Sequence, residues 1–210
     1  MKMKVIELKH PLITHKLAIL RNKQTGTKEF KELISELSMM LCYEAMKDAK
    51  LHNIIVETPL EKIDTKCIKE DDYAFVPILR AGISMVDGIL KVLPTAKIGH
   101  IGLYRNEETL KPVEYYYKMP KNINKREVII LDPMLATGGS VIATIDRLKK
   151  DGVKKIKFLC IIAAPEGIEA IKKTHSDIEI YCASIDRCLN DNGYILPGLG
   201  DAGDRVYGTK

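Results

Sequence analysis

The sequence contains no Trp, only three Phe, and 6% aromatic residues in all. Proteins that stack nucleic-acid bases do so on rings interleaved with positive charge, so no such platform is expected. The five cysteines, Cys42, Cys67, Cys160, Cys182 and Cys188, are odd in number and form no Cys-x-x-Cys pair. That pattern argues against a zinc site and a disulfide framework and for reduced thiols, with Cys160, inside an apolar run, expected in the core. No apolar stretch approaches the roughly 20 residues of a membrane helix, and none follows Met1-Lys2-Met3-Lys4 to make a signal segment. A cytoplasmic protein with no membrane partner is therefore expected. Internal repeats, low-complexity tracts and interdomain linkers are missing too. No Lys follows the paired Gly138 and Gly139, which removes a nucleoside-triphosphate P-loop. Ile142 stands about where a dinucleotide fingerprint would place its third glycine.

What is present suits a single α/β domain. A chain of 210 residues can bury roughly 70% of its unfolded surface. Hydrophobic residues at 46% and charged residues at 29% are ordinary for a globular protein. The net charge of +5 is spread among acids rather than gathered in a basic face. Small anionic substrates fit that balance as well as a nucleic acid does, and no nucleic-acid partner is expected.

The stretch Glu127 to Val141, EVIILDPMLATGGSV, is the most informative. Val128 to Leu131 reads as a strand buried on both faces. It ends at Asp132, crosses a loop, and enters a helix whose apolar stripe is Val141, Ile142, Ile145 and Leu148. Gly138 and Gly139 allow a tight turn that brings backbone N–H groups close to a ligand. Those amides lie at a helix N-terminus, where positive charge favours an anion, and Thr137 and Ser140 add hydroxyl donors. An ordinary strand–turn–helix capped by Ser140 would need one glycine and no preceding acid. Acid plus glycine loop describes a site for a sugar bearing a phosphate.

Asp132-Pro133-Met134-Leu135-Ala136-Thr137-Gly138-Gly139-Ser140 resembles the 5-phosphoribosyl-1-diphosphate (PRPP) motif of type I phosphoribosyltransferases. Most of that family carries two adjacent acids here, whereas Pro133 follows Asp132 in this chain. The variant is similar to the uracil phosphoribosyltransferase branch. The resemblance implies a parallel-sheet core covered by helices, with an exposed β-arm or flap and a C-terminal hood. It also implies a reaction in which uracil and PRPP give UMP and diphosphate, with Mg²⁺ held mainly by PRPP rather than by a metal site of the chain. A homodimer or larger homo-oligomer is implied, and in some members a response to GTP.

In chain order, residues 1–27 read by composition as an irregular arm, with His10 and His15 as surface or satisfied polar groups. A helix is expected from Thr27, as N-cap, to about Lys50, its apolar spacing set by Phe30, Leu33, Ile34, Leu37, Met40, Leu41 and Met46. Its methionines suit a core or a dimer seam. Residues 54–69 suggest one or two short strands around Pro59. Residues 73–79 form a second buried strand candidate, with Pro77 expected to interrupt its ladder. Arg80 and Gly82 follow at the strand end, where α/β folds bind anions; alone, Arg80 could equally be paired with a surface acid. The resemblance makes this the diphosphate loop and Arg80 a PRPP contact. Residues 104–118 read as a flap or β-arm, with Tyr115, Tyr116 and Tyr117 on an edge strand. By resemblance Arg105 on this segment is a second PRPP contact, and paired guanidinium forks suit a diphosphate whose charge grows as it leaves.

Strands are expected at 156–164 and 178–183, with Pro165 opening a helix between them. The tail, residues 188–210, is too rich in Gly and turn formers for a regular element, yet Ile195, Leu196 and Leu199 argue that it packs. Gly-Tyr-Ile-Leu-Pro-Gly-Leu-Gly-Asp-Ala-Gly-Asp-Arg resembles the uracil-binding hood of the same branch. The resemblance assigns uracil to the backbone at Ile195 and at Gly200, Asp201 and Ala202, and gives Asp201 a PRPP contact. Uracil shows acceptor, donor, acceptor along one edge, and fixed peptide groups can match that order, each mismatch costing roughly 1–3 kcal/mol. Asp132, Arg105 and Asp201 are the expected catalytic residues.

Overall fold

The computed structural model describes residues 3–105 and 112–209, with Arg105 described by its backbone alone. Its centre is a nine-stranded, mainly parallel sheet. The chain enters through β1 (Lys4–Glu7), α1 (Pro11–Arg21) and α2 (Thr27–Ala45). A hairpin, β2 (Leu51–Glu57) and β3 (Lys62–Ile68), forms its own two-stranded sheet. Next come β4 (Tyr73–Leu79), α3 (Val86–Val92), β5 (Lys97–Ile98), β6 (His100–Arg105) and β7 (Pro112–Lys118). The second half runs β8 (Glu127–Leu131), β9 (Met134–Leu135), α4 (Gly139–Lys150), β10 (Lys155–Ala163), α5 (Pro165–Thr174) and β11 (Glu179–Ile185). The tail adds β12 (Cys188–Leu189), β13 (Ile195–Leu196) and α6 (Ala202–Tyr207).

Strand order is β1-β11-β10-β8-β4-β6-β7, with β5 on β4 and β9 on β10. β8 is therefore internal, and its period of two divides it between two cores. Ile129 and Leu131 join the face covered by α1, α2, α3 and α6; Val128 and Ile130 join the face covered by α4 and α5. Both faces are apolar, so the strand reads as a continuous hydrophobic run. Pro77 sits within β4 where its neighbour changes: β4 pairs with β5 at Ala74 and Phe75, then with β6 at Ile78 and Leu79. The missing N–H falls in that gap, as the expected interruption requires. β7 is an antiparallel edge strand on which Tyr115 and Tyr116 are exposed.

Three expectations need correction. The described part of the expected arm 1–27, residues 3–27, is not irregular: β1 pairs with β11, and α1 buries Ile13, Leu17 and Leu20. Pro11 opens α1, and the His10 imidazole accepts the Leu12 N–H, so His10 is a helix cap. Gly26, not Thr27, is the N-cap of α2, and the helix stops at Ala45 rather than near Lys50. The buried Lys157 explains the stop, because its Nζ reaches the Ala45 carbonyl at 2.7 Å and also pairs with Asp48 and Glu127. In the tail, two β-bridges and a six-residue helix replace the expected irregular loop. Asp201 caps that helix by accepting the Asp204 N–H at 2.9 Å, a role no reading of the glycines revealed.

Candidate active site

Asp132 leaves the C-terminal end of β8 at a point where ligands gather in parallel sheets. Its backbone N–H still reaches the Leu159 carbonyl at 3.2 Å, and its Oδ1 accepts the Met134 N–H at 3.1 Å. Burial pushes its carboxyl up to about 7, against the weaker pull of the Met134 hydrogen bond. Beyond it, Pro133 and Leu135 are buried and bound to the sheet: the Pro133 carbonyl accepts Ile161 and Ile162, and the Leu135 carbonyl accepts Ala164. Met134 and Ala136 are half-buried, while Thr137 and Ser140 are exposed. Gly138 is the N-cap of α4 with φ +84°, a conformation glycine adopts freely, and no side chain caps the helix. The first-turn amides of a twelve-residue helix are thus left for a ligand.

At the adjacent strand end, Arg80 is exposed and follows a cis Leu79–Arg80 peptide. Gly82 is a close-approach glycine: a Cβ there would lie 2.4 Å from the Leu131 carbonyl oxygen. That contact presses the arginine loop against the end of β8. The tail folds back over the same edge. Tyr207 Oη donates to the Arg80 carbonyl at 3.0 Å, and Arg205 donates to the carbonyls of Leu20, Leu199 and Asn22.

These three segments enclose a cavity of about 270 Å³. Asp132, Met134 and Ala136 line it from the phosphate loop, Ala81 from the arginine loop, and Gly193 to Ile195 with Gly200 to Gly203 from the tail. A side chain grown on Gly193 would come within 3.9 Å of the Thr137 methyl, so the phosphate loop and the hood abut. Across the whole chain, the sequence profile of the uracil phosphoribosyltransferases matches residues 7–209. The chain belongs to the uracil phosphoribosyltransferase family.

Relatives agree over nearly full length. The uracil phosphoribosyltransferase of Geobacillus sp. (strain WCH70) is 58% identical over 207 residues, 99% of each chain. That of Dictyoglomus thermophilum is 59% identical over 206 residues, 98% of this chain and all of its own. A solved protein structure from Aquifex aeolicus superposes with a TM-score of 0.91 at 44% identity, covering 97% of both chains. A hypoxanthine-guanine phosphoribosyltransferase from Bacillus anthracis, 14% identical with a TM-score of 0.53, shares the fold over 76% of this chain and 80% of its own.

The cavity brings together Asp132, Met134, Ala136, Ile195, Gly200, Asp201 and Ala202 from the expected set. Thr137, Gly138, Gly139 and Ser140 continue from its rim into α4, and Arg80 stands beside its lining residue Ala81. The backbone of Arg105 pairs with Pro112 at the end of β6. The rest of the expected flap tip, residues 106–111, lies outside the described residues. Ala81, Gly193, Tyr194 and Gly203 were not anticipated as lining residues, although Ala81, Tyr194 and Gly203 each adjoin one that was. Also unanticipated were Arg21 and Asp186, whose pairing across 165 residues leaves no trace in local sequence.

Proposed function

We propose that this chain transfers the 5-phosphoribosyl group of PRPP to N1 of uracil, releasing UMP and diphosphate. The observation that carries this reading is the shared cavity, which is lined jointly by the acid-bearing loop after β8 and by the C-terminal tail. Uracil N1 attacks the anomeric carbon while its bond to the diphosphate oxygen breaks, and positive charge spreads over the ribose ring. Asp132 accepts hydrogen bonds from the ribose hydroxyls and, ionised, balances that charge. Backbone amides at 136–140 receive the 5-phosphate. Arg80 and Arg105 hold the diphosphate as its charge grows, and Pro133, Met134 and Leu135 shape the loop between acid and phosphate site. Peptide groups at Ile195, Gly200, Asp201 and Ala202 read the uracil edge. The N1 proton passes to Asp201 or to a PRPP oxygen.

The donor set on the cavity suits Mg²⁺ that arrives on PRPP. Its two carboxylates, Asp132 and Asp201, offer hard oxygens, and among the described residues no group of three ligating side chains forms a cage. When bound, Mg²⁺ neutralises phosphate charge and activates the diphosphate as a leaving group. Among the described residues no helix is long and apolar enough to cross a membrane; a salvage enzyme of this kind would work in the cytoplasm. The β2–β3 hairpin supports a homo-oligomer: Ile55 and Leu60 are 73% and 95% exposed, and a lone two-stranded hairpin is marginal without a packing partner. Light scattering checks that assembly, and rates with and without GTP check an effector role.

The deciding assay mixes purified protein, PRPP and Mg²⁺ with uracil, cytosine, hypoxanthine or orotate. UMP should form from uracil alone; product from another base at a comparable rate refutes the base assignment. RNA binding without turnover would favour a regulator built on the same fold.

A further inference from the structure

Behind the hood, outside the cavity, an ion pair joins the end of α1 to the residue following β11. Arg21 offers both terminal nitrogens to Asp186, at 2.7 Å to Oδ2 and 2.6 Å to Oδ1. The Asp186 side chain is 2% exposed and that of Arg21 23%. Both residues also grip the same residue of the tail, one on each of its flanking peptide groups. Arg21 donates to the Gly198 carbonyl at 2.7 Å, and Asp186 accepts the Gly198 N–H at 2.9 Å. Ser184 completes the cluster, donating to Asp186 Oδ1 at 2.9 Å and accepting from Arg21 at 3.2 Å. Burial works against the ionised Asp186, yet Arg21, the Gly198 N–H and the Ser184 hydroxyl together hold its carboxyl below the usual range.

Gly198 has φ +63°, and a Cβ on it would fall 2.1 Å from the Ile195 carbonyl oxygen. The gripped residue is therefore the point where the tail doubles back on Ile195, before Gly200 to Ala202 return to the cavity. A buried ion pair contributes little net stability, because desolvation offsets much of its attraction. A bidentate fork does fix position, and here the fixed object is Gly198, between the two base-facing segments.

We propose that Arg21 and Asp186 are positioning residues for the pyrimidine, setting Ile195 and Gly200–Ala202 at the separation that matches uracil. This rests on the reading of residues 195–202 as the base site. Asp132 and the 136–140 loop are carried by β8 and α4 and Arg80 by β4, and none of their hydrogen bonds runs through the pair. Loosening the grip thus acts chiefly on uracil, and reaches PRPP only indirectly, through Asp201 and the Tyr207–Arg80 contact.

Steady-state kinetics with both substrates varied, together with thermal melts, test the proposal on Arg21→Gln, Arg21→Lys and Ser184→Ala. For Arg21→Gln, the KM for uracil should rise about tenfold, the effect of losing a charge-assisted hydrogen bond, while the KM for PRPP stays within about twofold. Arg21→Lys, which keeps the charge but not the fork, should recover part of the loss. If Arg21→Gln fails to fold, Ser184→Ala should still raise the uracil KM by about two- to threefold, alone. Equal rises for both substrates, or no change in folded variants, overturn the positioning role. A wild-type protein inactive on uracil overturns the base-site reading, and the proposal with it.

Discussion

Replacing Asp132 by Asn removes one charge from the cavity and keeps its shape and its acceptor for the Met134 N–H. Desolvation raises the native carboxyl from 3.8 to about 7. That displacement corresponds to about 4 kcal/mol against the ionised form. The sign follows from linkage. Between pH 4 and 7 the unfolded carboxyl has lost its proton and the native one has not, so native stability falls through this window as pH rises. Below pH 4 the group contributes no penalty, and above pH 7 the penalty is constant. Asn carries none of it. Asp132→Asn should therefore melt about 8–16 °C above the parent at pH 8, with that advantage vanishing near pH 4.

Activity should move the opposite way. If the ionised carboxylate holds the ribose and balances its developing charge, kcat/KM for PRPP should rise about tenfold from pH 6 to pH 8. The 5-phosphate of PRPP also titrates near pH 6, so the wild-type profile alone is ambiguous. Asp132→Asn supplies the control, keeping the phosphate titration and losing the inflection near 7. Its kcat/KM should be lower by about 100-fold at pH 8, the scale of one lost electrostatic contact. A more stable, less active variant is the signature of a group whose burial serves chemistry at the expense of stability. An Asn variant that matches the parent in melting temperature at pH 8, or retains its inflection near 7, would refute the reasoning.

Tyr207→Phe removes the hydrogen bond from the tail to the Arg80 carbonyl; the KM for PRPP should rise about two- to tenfold with little change in melting temperature, and an unchanged KM would mean the contact does not steady the arginine loop. Gly167 lies on α5, not in the phosphate loop, yet a Cβ there would meet the Ala136 carbonyl at 2.4 Å. Gly167→Ala should cost about 1–3 kcal/mol of stability in denaturant melts and impair PRPP use more than uracil use, because the displaced atom belongs to the phosphate loop. Arg105→Ala should weaken PRPP use more than uracil use in the same kinetics, and equal losses would remove its diphosphate role.

The parts of the fold that sequence revealed are those specified locally. β8 carries its signal in four consecutive aliphatic residues, and α4 in a stripe at Val141, Ile145 and Leu148 closed by Gly152 at φ +84°. Pro165 marks the start of α5 by its own backbone geometry. The candidate site was legible for a related reason, since phosphate loop and hood are each contiguous runs. The failures have a common cause. α2 ends where Lys157, 112 residues away, takes the Ala45 carbonyl. The order at Lys4–Glu7 comes from pairing with β11, some 175 positions along the chain. Long-range partners leave no periodicity to read.

That misread N-terminal segment is also what places the tail. Left to its glycines, residues 190–204 would pay a large conformational entropy to order. The cost is met at anchors drawn from the first 22 residues: Arg21 holds Gly198, while the Leu20 and Asn22 carbonyls hold Arg205, whose guanidinium also lies over Phe30 at 4.3 Å. Tyr207 then carries the tail to Arg80. The two ends of the chain thus form one frame that closes over the C-terminal edges of β4 and β8. A cavity bounded on one side by a rigid strand end, and on the other by a tail fixed at several separate points, keeps its two halves at constant separation. Constant separation is what a transfer between two bound substrates requires, because the reacting atoms must meet without either partner being rebound.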